Sequence, residues 1–122
     1  MVLELMPMQK NGFVVSREDL ESFFDKRLLQ AGLLGNEISD FKAFWIEKMM
    51  ENNSPYFFIS FLFNDYMDKA APLRVSPLPD TVIRLFMEWR PLQKPIKVNE
   101  QNLVTPKRKG FTVVEWGGSL HE

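Results

Sequence analysis

The chain runs to 122 residues, room for one domain, with fifteen Lys and Arg against sixteen Asp and Glu for a formal net charge of −1. That balance removes the usual electrostatic argument for nucleic acid or an anionic membrane surface, and the lack of cysteine excludes disulfides, thiolate nucleophiles and zinc–sulfur sites. A hydrophobic share of 45% with 25% charged residues is globular composition, which excludes a disordered or coiled-coil chain.

Eleven Phe, three Trp, two Tyr and seven Met predict a small core filled with rings, with methionine taking the irregular gaps. Residues 1–10 lack the basic start and apolar centre of a signal peptide, and no apolar run approaches the ~18 residues of a membrane span.

In chain order, Gly12–Val15 reads as a short strand, with a backward extension over Val2–Met6 as an option. Ser16 then stands as a helix N-cap whose hydroxyl accepts from the Asp19 N–H, with Glu18 and Asp19 at the positive end of the helix dipole. Leu20, Phe23, Phe24, Leu28 and Ala31 recur at helical spacing, and Gly32 supplies a left-handed cap. A second helix opens near Asn36, with Glu37 in its first turn. It aligns Ile38, Phe41, Phe44, Trp45, Lys48 and Met49 and stops near Asn52, because Pro55 disfavours a helical Ser54. A linker this short predicts an antiparallel helical hairpin.

Beyond Pro55 the period changes. Tyr56–Phe63 is apolar on both faces apart from Ser60, the pattern of a strand covered on both sides. Asn64–Ala71 reads as a loop or a single helical turn, and Leu73–Val75 as a short strand before the turn-rich Ser76–Asp80. Thr81–Arg90 alternates: Ile83, Leu85, Met87 and Trp89 face one way, and Val82, Arg84, Phe86, Glu88 and Arg90 the other. Pro91–Pro106 reads as an extended connection with a short edge strand at Ile96–Val98. Lys107–Gly110 is a basic turn, and Phe111–Trp116 a second confident strand that Gly117-Gly118 ends or bends. The prediction is a single α+β domain over residues 1–122, an N-terminal helical hairpin packed on a mostly antiparallel sheet of four to five strands.

The string Pro79–Arg84, then Phe86-Met87, Pro91-Leu92 and above all Gly110–Gly118 (GFTVVEWGG) resembles an uncharacterised prokaryotic domain family. Gly12–Val15, Asp40-Phe41 with Trp45, and Pro55-Tyr56 extend the resemblance over most of the chain. It implies a module of a larger, often exported, bacterial protein, and hence an exported or cell-envelope location. Members continue N-terminally beyond Gly12, which implies a fragment lacking an edge strand or an anchoring segment. The resemblance brings no activity, ligand or catalytic residue with it.

Residues suited to chemistry are few. His121, the single histidine, sits next to the chain end, where fraying works against a Ser–His–acid arrangement. One terminal histidine and no cysteine supply no transition-metal site, and no cofactor is expected. Asp65, Asp68 and Asp80 lack the spacing of a calcium loop and read as solvated loop acids. Glu88 and Glu115, on the two strongest strands, would form a hydrolase's acid/base pair if they met. The alternative is ion pairing with Arg84 or Arg90 on a partly solvated sheet face. Lys107, Arg108 and Lys109 read as a solvated turn rather than a nucleic-acid patch. Gly117-Gly118 lacks the strand–loop–helix setting and lysine of a phosphate loop.

With catalytic residue types scarce and aromatics abundant, the leading expectation is a non-enzymatic module for protein interaction or assembly. Its partners would be other proteins or neighbouring domains, with no nucleic acid and no membrane insertion. The alternative is a carbohydrate- or peptide-binding module that uses Trp116, Trp89 and Tyr56 as stacking platforms, against their use in core packing.

Overall fold

The computed structural model describes residues 8–121, so the optional strand over residues 2–6 lies outside the described residues. The elements are β1 (Phe13–Ser16), α1 (Leu20–Gln30), α2 (Gly35–Met50), β2 (Tyr56–Leu62), α3 (Asn64–Ala70), β3 (Thr81–Leu92) and β4 (Thr112–Leu120). The four strands form one sheet in the order β1-β2-β3-β4. β1 and β3 flank β2 antiparallel, while β4 joins β3 in parallel, so the α+β sheet is mixed.

Alternation along the strands sorts the sheet into two faces. Phe13 and Val15, Phe57, Ile59 and Phe61, and Ile83, Leu85, Met87 and Trp89 are buried against the helices. Facing them are Leu20, Phe24 and Leu28 of α1 and Phe41, Trp45 and Met49 of α2, the stripes that helical spacing predicts. Phe44 is the exception: it lies at the margin of its stripe and is 46% exposed.

The helix ends follow backbone bookkeeping. At the C-terminus of α1 the Leu33 N–H donates to Leu28 O and the Gly32 N–H to Leu29 O, the paired bonds that need a left-handed residue between them. Gly32 supplies it with φ 105°. Glu37 accepts the Leu34 N–H and closes the start of α2, and the Arg17 guanidinium donates to the carbonyls of Met50 and Asn52 at its far end. The predicted Ser16 cap is not made. Ser16 ends β1, a 3₁₀ turn over Arg17–Asp19 intervenes, and its hydroxyl makes no capping bond.

Two other expectations change. Leu73–Val75 and Ile96–Val98 are not strands, because among the described residues no neighbouring strand runs beside either one. Gly117 and Gly118 do not end β4, which runs through both, paired with Phe86 and Met87.

The parallel β3–β4 pair requires a crossover, and residues 93–111 make it without a helix. This segment passes the outer side of β1, where the Gly12 N–H donates to Asn99 O. It then returns past α1, where the Thr105 hydroxyl donates to Gln30 O and Arg108 binds Gly32 O and the Glu37 carboxylate. Two amide side chains extend the ladders beyond the strands. Gln101 donates to and accepts from the Phe61 backbone, and Asn64 does the same for Val82 and Arg84.

Candidate functional site

The sheet face turned away from α1 and α2 carries the buried charge. Arg84 and Glu88 of β3 are each only 2% exposed, so the partly solvated face expected from the sequence is instead covered. Arg84 lies across from Glu115 on β4 and binds its carboxylate at 2.9 Å. It reaches Asp68 on α3 at 3.2 Å. That is the cross-strand pairing expected for Glu115. Glu88 takes neither arginine: its Oε2 lies 3.0 Å from His121 Nε2, and it accepts the backbone N–H of Gln9. Burial pushes its carboxyl above the ordinary value, and the histidine and the Gln9 N–H offset only part of that. Its charge in turn adds to burial in raising the Tyr66 phenol.

His121 is therefore held rather than frayed. Its backbone N–H donates to Trp89 O at 2.7 Å, one rung beyond β4, and its ring is largely buried. Ser119 Oγ approaches the same Nε2 at 3.2 Å. A proton-relay triad needs the serine and the acid on opposite ring nitrogens, whereas here both meet one nitrogen. Glu88 pairs in register with Ser119 and not with Glu115, four positions away, which places the two carboxylates ~13 Å apart along the strands. An acid/base couple on one bond spans less than ~10 Å.

The predicted aromatic platforms are scattered. Trp89 is 4% exposed and packs edge-on to Phe57 in the core. Trp116 is half-buried on β4 beside Phe41 and Phe44, at ring centroid distances of 5.1 and 5.9 Å. Tyr56 stands half-buried at the opposite end of the sheet, in a groove of ≈ 760 Å³ between α1 and residues 95–96. Asp68 is an ion-pair partner and Asp80 accepts the Phe111 N–H, so neither is a free loop acid. Arg108 of the basic turn is part-buried against Glu37, while Lys107 and Lys109 make no ion pair among the described residues. Among the described residues no group of acids and histidine could hold a metal ion, and no helix is long and apolar enough to cross a membrane.

The two edges of the sheet differ. β1 is short, four residues, and its outer side is met by residue 99 of the crossover. β4 is nine residues long, and among the described residues no backbone group bonds its outer side. Since the His121 N–H points to β3, alternation turns the amides of Thr112, Val114, Trp116, Gly118 and Leu120 outward. Beside this edge Phe44 and Trp116 form a half-exposed aromatic shelf. Phe44 was missed from the sequence because helical spacing reads it as core. Only its position at the margin of the stripe sets it apart.

No family model, curated protein or solved structure matches the chain.

Proposed function

We propose that the chain is a non-enzymatic assembly module of a larger bacterial protein, joining to a second copy of itself through β4. The observation that carries this reading is the nine-residue outer edge of β4, which no backbone group among the described residues bonds. Proteins blunt exposed edges with proline, bulges, inward charges or covering segments. Among the described residues the β1 edge is treated that way and the β4 edge is not. β4 contains no proline and an unbroken register, and its one charged residue, Glu115, is bound to Arg84.

The strand suits its own antiparallel copy. A two-fold axis at Trp116 sets Glu115 opposite Gly117, and an axis at Gly117 sets it opposite Ser119, so like charges do not meet in either register. The Phe44–Trp116 shelf would add apolar contact beneath the joined strands.

Light scattering over a concentration series tests the proposal. The wild type and Val114→Ala should run as dimers. Val114→Pro, which removes one outward N–H and no ladder bond, should run as a folded monomer. A wild type that stays monomeric at ~100 µM overturns the reading.

A second reading, carbohydrate binding, is favoured by one feature. The Tyr56 ring lies in an open groove with Ser16, Asp19, Ser22 and Lys26, an aromatic face among hydrogen-bonding groups. A dose-dependent thermal shift with a glycan, lost in Tyr56→Ala, would support it; a flat glycan screen would remove it.

A further inference from the structure

On the sheet face away from α1 and α2 a cleft of ≈ 560 Å³ opens between the segment before β1, the end of β3 and the start of the crossover. Among the described residues its ionisable lining is entirely basic or imidazole: Lys10, Arg90, Lys97 and His121. Lys10, Arg90 and Lys97 are gathered from three separate stretches of chain, and none of these three makes an ion pair among the described residues. By contrast, Arg27, Lys42, Arg84 and Arg108 are all matched to carboxylates. Glu88, the carboxylate that His121 contacts, is itself buried and already bound by that histidine. Like charges left together around a concavity repel one another, and an anion entering between them relieves that repulsion.

The cleft is also partly apolar. Phe58 forms part of its wall, and the Arg90 guanidinium lies over that ring, 5.5 Å from its centroid. Stacking of this kind holds the guanidinium plane while leaving its N–H fork free for a bidentate oxyanion. Ile96 and Val98 extend the apolar wall.

We infer that this cleft binds a small organic oxyanion, a carboxylate or phosphate carried on an apolar or aromatic body. Arg90 grips the head, Lys10 and Lys97 close around it, and Phe58, Ile96 and Val98 receive the body. The site is separate from the β4 edge and does not depend on assembly.

Amide-detected NMR titrations at low salt test it, with phenyl phosphate, benzoate, inorganic phosphate and benzyl alcohol as probes. Phenyl phosphate and benzoate should give saturable shifts at residues 9–10, 90 and 96–98. Inorganic phosphate should bind more weakly there, and benzyl alcohol should not bind at all. A phosphate preference over benzoate, or the reverse, identifies the head group. The double variant Arg90→Gln/Lys97→Gln should weaken binding at least about tenfold, whereas Lys107→Gln/Lys109→Gln, which removes the same charge elsewhere, should not. Lys10→Gln/Lys97→Gln leaves Arg90 on its ring and serves if the first variant unfolds. No saturation by ~10 mM of either aromatic anion, or equal weakening by both charge-matched doubles, overturns the site.

Discussion

Trp45 of α2 lies against Gly118 of β4 so closely that a β-carbon at Gly118 would stand 2.8 Å from the indole Cζ2 and 2.6 Å from the Met87 carbonyl oxygen. Neither neighbour moves cheaply, since one is a buried ring and the other a backbone atom of β3. Gly117, one residue earlier, would meet nothing closer than the Phe86 ring at 3.5 Å. Gly118→Ala should therefore cost about 1–3 kcal/mol, and Gly117→Ala should stay within about 0.5 kcal/mol of the wild type. Urea midpoints of the two variants decide the matter, and equal midpoints would contradict this account of β4.

Phe61 is 1% exposed and sits among Phe13, Phe23 and Phe63. Phe61→Ala should cost about 3–5 kcal/mol, as should Trp45→Ala, enough to endanger a domain of ordinary stability. An unchanged denaturation midpoint in either variant would overturn the core assignment.

Arg84 is buried, but its partners Asp68 and Glu115 remain 63% and 42% exposed at their side chains. Removing the arginine therefore returns both carboxylates to water rather than stranding them, and the main loss is packing. Arg84→Ala should cost about 2–4 kcal/mol, whereas Arg84→Met, which keeps the stem volume, should lie within about 1 kcal/mol of the wild type. If methionine proves as damaging as alanine, the ion pairs matter more than the packing.

Glu88 and Glu37 tilt the pH profile in opposite directions. Burial raises the Glu88 carboxyl, so the folded state holds its proton more tightly than the unfolded chain. Stability from this group is full below the ordinary value of 4.5 and declines as pH rises through the raised value. The hydrogen bond from Arg108 lowers Glu37, whose contribution is present above 4.5 and lost as pH falls through its lowered value. Urea midpoints from about pH 3 to 8 should show Glu88→Gln removing the decline on the alkaline side of 4.5, and Glu37→Gln removing the loss on the acid side. A Glu88→Gln profile parallel to the wild type above 4.5 would show that the raised carboxyl plays no part.

Local signals carried the fold a long way. The helical stripes, the Gly32 cap and the alternation of β3 are written in neighbouring residues, and each appears where spacing predicts it. What spacing could not show was who sits opposite whom. Ile96–Val98 has strand composition, yet the crossover leaves it no partner, and Gly117-Gly118 reads as a stop only until β3 pairs through it. The same blindness covered the sites. His121 looked frayed because nothing local reveals the Trp89 carbonyl waiting for its N–H. Lys10, Arg90 and Lys97 were unremarkable because some eighty residues of chain separate the first two before the fold brings them to one cleft.

The parallel joining of β4 to β3 also bears on the order in which the domain assembles. Every β3–β4 pair closes a loop of about 30 residues, whereas α1 and α2 meet across a short turn. The helical hairpin and the β2–β3 pair can form while the crossover is still slack, with β4 arriving last of the strands. Before it arrives, the outward side of β3, including the backbone opposite Glu115 and Trp116, is itself an open edge. A second chain in the same unfinished state could donate its own β4 there. Refolding at high concentration is thus the condition under which exchanged, rather than merely joined, copies should appear.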